Sequence, residues 1–121
     1  MNQISNKTYK SNLDDRTLEF AKRIVHLSRA LPRDTVNLEL KKQLIRSGAS
    51  VGANYREAND ALSKKDFVYR LRINRKEAKE TQYWLNLIIE ANLEFQKRIE
   101  PLLQESIELI KIFSSIIEKS K

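Results

Sequence analysis

The sequence predicts an all-α protein, an antiparallel up-down-up-down four-helix bundle. Three observations carry that prediction. The 121 residues include only two glycines and two prolines, fewer than strands and tight turns would use. Charged residues make up 32% of the chain and are interspersed with leucine and isoleucine, as on amphipathic helices. Apolar residues recur at three- and four-residue steps in four successive blocks, and the short connections between blocks make neighbouring helices antiparallel.

Residues 1–12 are polar, rich in Asn, Ser and Lys, and are expected to be a disordered tail ahead of a bundle spanning 13–121. A first helix is expected from about Asp14 to Ala30, capped by Asn12 or Asp14 and stopped by Pro32. Leu13, Thr17, Phe20, Ile24, Leu27 and Leu31 form its buried stripe. His26, the single histidine, lies on the opposite side, where a solvated side chain is expected rather than a ligand.

Asp34, Thr35 and Asn37 read as a polar turn before a second helix, from about Leu38 to Ala61. Leu40, Leu44, Val51, Tyr55, Ala58 and Leu62 form its stripe, with Ser47 in a small position. Both glycines, Gly48 and Gly52, fall inside this helix, where each costs about 1 kcal/mol relative to alanine. At i, i+4 they share one flank with Ala49 and Ala53 beside them, a notch that lets another helix come close. The alternative, that Gly48 ends the helix, conflicts with the spacing continuing in phase through Val51 and Tyr55.

Ser63 opens a third, long helix to about Ala91, with Phe67, Leu71, Ala78, Leu85, Ile88 and Ile89 on its core stripe and Asn74 and Thr81 in phase. A connector over residues 92–99 leads to the fourth helix, with Pro101 in its first turn. Leu102, Leu103, Leu109, Ile110, Phe113, Ile116 and Ile117 give it a broad apolar face. Glu100, Glu105 and Glu108 come early and Lys119 and Lys121 late, which complements the helix dipole.

The third helix has more apolar surface than one stripe needs. Tyr69, Ile73, Trp84 and Leu87 share a flank away from the core, with Glu80 among them. That second stripe, with Gly48 and Gly52, predicts a homo-oligomer interface. The alternative is that Trp84 widens the intrachain core. Cations cluster on the same helix, and Lys65, Arg72, Lys76 and Lys79 project opposite the core. With a formal net charge of +7, the row is a candidate contact for RNA or DNA phosphates. The bland alternative is a solvated helix face.

Catalytic signatures are missing. There is no Gly-rich phosphate loop, and the absence of cysteine excludes disulfides and thiolate metal sites. Glu-x-x-His, as used by di-iron bundles, does not occur. Glu57, Glu77 and Glu80 flank buried stripes, and pairing with Arg46 or Arg56 is expected rather than metal binding or acid–base chemistry. No cofactor and no enzymatic activity are expected. Residues 1–12 lack the apolar run of a signal peptide, and no later segment approaches a membrane span, so a cytoplasmic location without membrane contact is expected.

The blocks QL-RS-AS-GANYREA (Gln43 to Ala58), SKKDF (Ser63 to Phe67) and KEAKETQYWL (Lys76 to Leu85), with Leu31-Pro32 ahead of them, resemble the bacterial "four helix bundle protein" family. That family is also named for proteins encoded by intervening sequences within 23S rRNA genes. The resemblance implies a bundle that assembles into a ring, with homopentamers the recurrent form. It also implies kinship with the accessory protein of diversity-generating retroelements, a basic pentamer that binds nucleic acid and a reverse transcriptase. Asn54, Tyr55, Glu57, Glu77 and Glu80 match family positions without an assigned role. Two readings follow: a ring-forming, RNA-associated nucleic-acid-binding protein, or a protein–protein scaffold whose charge serves only solubility or steering.

Overall fold

In a computed structural model the backbone is described for residues 2–121 and the side chains for residues 12–121. Four helices follow one another: α1 (Asn2–Ala30), α2 (Thr35–Asn59), α3 (Lys64–Ala91) and α4 (Gln96–Lys119), with a single 3₁₀ turn at Leu93–Phe95 before α4. Each packs on the next, and α4 returns to touch α1, which closes the bundle. The α2–α3 contact is the most extensive and the α1–α4 contact the thinnest. No helix among the described residues is long and apolar enough to cross a membrane. Asn12 and Asp14, expected as caps, lie within α1, and the expected tail falls mainly on residues whose side chains lie outside those described.

The stripes meet in one core. Leu13, Phe20 and Ile24 of α1 face Leu44, Val51 and Tyr55 of α2, Leu71, Ala78 and Leu85 of α3, and Leu109, Phe113 and Ile117 of α4, all buried. Tyr55 and Phe113 meet at 6.3 Å between ring centroids. Two polar side chains of α3 in the core are paired across helices. Asn74 donates to the Val51 carbonyl at 2.6 Å, and the Thr81 hydroxyl reaches the Ser47 hydroxyl at 2.9 Å, so α2 and α3 are held by two internal bridges. Arg16 donates twice to Glu105, at 2.7 and 2.8 Å, which fastens α1 to α4 where their contact is thin.

Three further boundaries differ from the expectation. The carboxylate of Asp34 accepts the Asn37 amide at 2.7 Å, so α2 starts at Thr35 and Asn37 sits in its first turn, not in a loop. Asn37 is buried, and its amide exchanges two hydrogen bonds of 2.8 Å with the amide of Asn92. Each also reaches a carbonyl at 2.9 Å, Asn37 that of Pro32 and Asn92 that of Ile88. This clasp joins the α1–α2 loop to the α3–α4 loop. At the other end of α2 the helix stops at Asn59, and Leu62, expected in the core, is 101% exposed in the turn before Ser63 caps α3. Finally, α4 begins at Gln96, so Pro101 lies inside it, on the exposed side, and removes one backbone donor from the helix.

The glycines are helical, and no residue among those described has positive φ. Their flank faces α1 of the same chain. A methyl at Gly48 would collide with the end of Ile24, and one at Gly52 would stand 3.2 Å from Thr17 Oγ1 and 3.6 Å from the Thr17 carbonyl carbon. Gly48 and Gly52 therefore do not form the oligomer interface expected of them. They are buried by α1, and the notch serves the intrachain α1–α2 approach, while Ala49 and Ala53 point to solvent. Replacing Gly52 with Leu should cost about 1–3 kcal/mol or more in a denaturant titration, because Thr17 offers backbone as well as side chain to the new atoms. Unchanged stability of Gly52→Leu would contradict this packing.

Candidate nucleic-acid interface

The outward side of α3 is set by the inward one. With Leu71, Asn74, Ala78, Thr81, Leu85 and Ile88 buried, residues half a turn away are forced into solvent. Lys65, Arg72, Lys76 and Lys79 are all exposed there, and none closes an ion pair among the described residues. Most other ion pairs join neighbours on one helix, as Arg70 does with Asp66 at 3.9 Å. Arg72, Lys76 and Lys79, with Arg46, Tyr83 and Trp84, line a shallow groove of about 670 Å³.

One edge of that groove is fixed by a bridge between α2 and α3. Arg46 donates to Glu80 at 2.6 Å and reaches Glu77 at 3.5 Å. The hydrogen bond from Arg46 holds the Glu80 carboxyl below its usual range and raises the guanidinium in turn. Glu77 behaves oppositely. Its side chain is only 12% exposed, and burial, reinforced by the neighbouring Glu80 charge, pushes its carboxyl up. Arg46 thus pairs with the acids bordering the groove, as the sequence led one to expect, and Lys65, Arg72, Lys76 and Lys79 close no ion pair with them, although Lys76 is near enough to favour both charged carboxylates.

The residues expected at a subunit boundary separate. Tyr69 is 59% exposed and stands in the cation row, between Lys65 and Arg72. Trp84 is half-buried against its own core, in part the alternative reading of that side chain, and Ile73 and Leu87 are also half-buried. Glu80 is held by Arg46. Glu57 is exposed, and Asn54 spends its amide on the Ser50 carbonyl at 2.9 Å.

Two features escaped the sequence reading. Tyr83, 58% exposed, projects within about 20° of Lys65, Arg72 and Lys76 by helical phase, and its ring meets Trp84 edge-on at 5.1 Å. The signal is present in the spacing, because Tyr83 falls in phase with the cation row. The second is an exposed apolar flank on α1 and α2, where Val25, Leu38 and Ile45 line a shallow groove of about 620 Å³ with Arg29 and Lys41.

The Arg46 bridge generates a pH signature. Glu80, with its pKa lowered by folding, contributes stability above the ordinary carboxylate range and loses it as pH falls through the lowered value. Glu77, with its pKa raised, is a burden at neutral pH that is relieved as pH falls through the raised value. Glu80→Gln should lower the melting temperature modestly at pH 7, as befits a half-exposed pair, with the deficit shrinking toward pH 3. Glu77→Gln should melt at or above the wild-type temperature at pH 7. Equal losses in both variants, independent of pH, would contradict the assignment.

Residues 10–115 match the family described as 23S rRNA-intervening sequence protein. A solved structure from Bacteroides thetaiotaomicron, of a protein with unknown function from the S23 ribosomal protein family, is 41% identical and superposes with a TM-score of 0.82. The match covers 90% of this chain and 97% of that one. Comparison with curated proteins finds no match. With nearly all of the bundle matched in sequence and in architecture, the chain belongs to the 23S rRNA-intervening sequence protein family.

Proposed function

We propose that this chain is an RNA-associated, homo-oligomeric nucleic-acid-binding protein that meets phosphates with the outward face of α3 and catalyses nothing. The observation that carries the reading is the row Lys65, Arg72, Lys76 and Lys79, exposed on one helix face with no carboxylate paired to it, in a chain of net charge +7. The family's description, which ties it to 23S rRNA intervening sequences, supports the association with RNA. Cations on a regular helix face contact backbone rather than base edges, so binding is nearly indifferent to sequence.

Assembly multiplies these contacts. A ring, five-fold by the resemblance, repeats the row once per subunit, and each further contact is then made at high effective concentration. A closed ring needs two different patches on each subunit. The exposed apolar flank of Val25, Leu38 and Ile45 is suited to be one of them. The same flank supports a second reading, in which the apolar groove receives a different protein and the chain is an adaptor; a reverse transcriptase is the partner class the resemblance implies.

Two experiments test the proposal. Arg72, Lys76 and Lys79 changed together to Glu should abolish retention on long mixed-sequence RNA at low salt, with helicity and sedimentation unchanged. Wild-type binding to duplex DNA should fall with salt at a log–log slope of about −0.9 per neutralised phosphate. Wild-type protein that binds neither RNA nor DNA at low salt would overturn the reading. Separately, Val25→Glu with Ile45→Glu, both at exposed positions, should drive the protein to monomer in sedimentation at micromolar concentration while leaving its helicity intact. A double variant that sediments as the wild type would remove this flank from the assembly and favour the adaptor.

A further inference from the structure

The cations on the outer face of α3 are not alone there. Read along the helix, the exposed side chains run Lys65, Tyr69, Arg72, Lys76, Lys79, Tyr83, in steps of three and four residues that keep them on one stripe. The tyrosines are 59% and 58% exposed, and their separation of fourteen positions spans about 21 Å of helix. Both rings are oriented by neighbours. Tyr83 stands edge-on to Trp84, and the Arg70 guanidinium lies 6.0 Å from the Tyr69 ring centre.

We infer that this stripe is a stacking platform for single-stranded nucleic acid, with unpaired bases lying on Tyr69 and Tyr83 and the phosphates between them held by Arg72, Lys76 and Lys79. The inference rests on the nucleic-acid reading proposed above and narrows it. A cation row serves a duplex or a single strand equally, because both present phosphates. Exposed aromatic rings discriminate. A duplex hides the faces of its bases, whereas an unpaired strand presents them to any ring within reach. Stacking is indifferent to base identity, since every base has a π-face. An acidic protein surface would match the cations but would give the tyrosines no planar partner.

The test uses the full-length protein and its single tryptophan, Trp84, in ring contact with Tyr83, as the fluorescent reporter. A mixed-sequence single-stranded oligonucleotide should quench Trp84 and bind more tightly than the duplex of the same length at the same salt. Tyr69→Ala and Tyr83→Ala should each weaken the single strand about 5-fold or more, leave duplex affinity unchanged, and keep the salt slope of the wild type. Tyr69→Phe and Tyr83→Phe should restore the affinity, because the ring and not the hydroxyl does the stacking. If the alanine variants bind the single strand as the wild type does while the Arg72, Lys76 and Lys79 charge reversal abolishes binding, the platform is overturned and the phosphate-binding reading stands. Alanine variants that dissociate into monomers place the tyrosines at a subunit boundary and overturn it too. An acidic polyglutamate that competes equally with the oligonucleotide before and after the Tyr→Ala changes would point to a protein partner and overturn it as well. Wild-type protein that binds neither strand form overturns both readings.

Discussion

The close approach of α1 to α2 is the constraint on which the rest of the bundle depends. Where Gly48 and Gly52 replace side chains with backbone, Ile24 and Thr17 of α1 fill the space a β-carbon would have taken. The stripe of α1 is thereby brought flush against α2, and Phe20 and Ile24 reach the centre of the core fully buried. The helical cost of each glycine, about 1 kcal/mol, is offset by this burial. With α1 seated, the remaining faces are assigned by phase. The buried side of α3 is fixed by its bridges to α2, and its opposite side must carry whatever faces solvent.

Polar side chains then set register where apolar packing would tolerate sliding. Asn74 finds its partner on α2 in the Val51 carbonyl, so a shift of α3 by one turn would bury its amide N–H without that acceptor, and the Thr81 hydroxyl, which also bonds the Glu77 carbonyl of its own helix, would lose its contact with Ser47. The Asn37–Asn92 clasp does the same between two loops. All four of its amide hydrogens and both carbonyls are used, a fully satisfied buried network of the kind that specifies one arrangement. Arg46 works at the surface. By drawing Glu77 and Glu80 toward itself, it leaves the outer face of α3 positive.

The periodic parts of this architecture were legible from the sequence because helical phase is a local property. Leu13 through Leu31 on α1, and Leu71 through Ile88 on α3, repeat so regularly that burial follows from spacing alone. What could not be read was pairing at long range. Asn37 looks like a turn residue until Asn92, 55 positions later, appears beside it in the fold. The glycine notch was visible as a notch, but a single chain does not say which helix enters it, and a neighbouring subunit was chosen where α1 stands. Leu62 was misplaced by extending a stripe past Asp60, which ends the helix. The cation row of the candidate site was fully readable. Tyr83, in the same phase, belongs neither to a charge pattern nor to an apolar stripe alone, because a tyrosine is both polar and apolar, so its place in the row is plain only in the fold.

The clasp gives one end of the bundle a buried, fully paired hydrogen-bond network, while the other end has, among the described residues, only the part-buried contact of Asn59 with Asp14 at 3.4 Å. Asn37 and Asn92 lock the two loops at the C-terminal end of α3, whereas its N-terminal end adjoins only the exposed turn over residues 60–63. The outer face of α3 runs the length of this gradient. Tyr83 stands nine residues from Asn92, on the pinned end, and Lys65 and Tyr69 stand on the unclasped one. Were a strand laid along the helix, the half beside the clasp would have less conformational freedom to lose than the half beside the open turn, and any ordering of the latter would subtract from the energy of contact. If the two tyrosines do receive bases, they would then differ as anchors, although alike in exposure, because of two asparagines that touch neither.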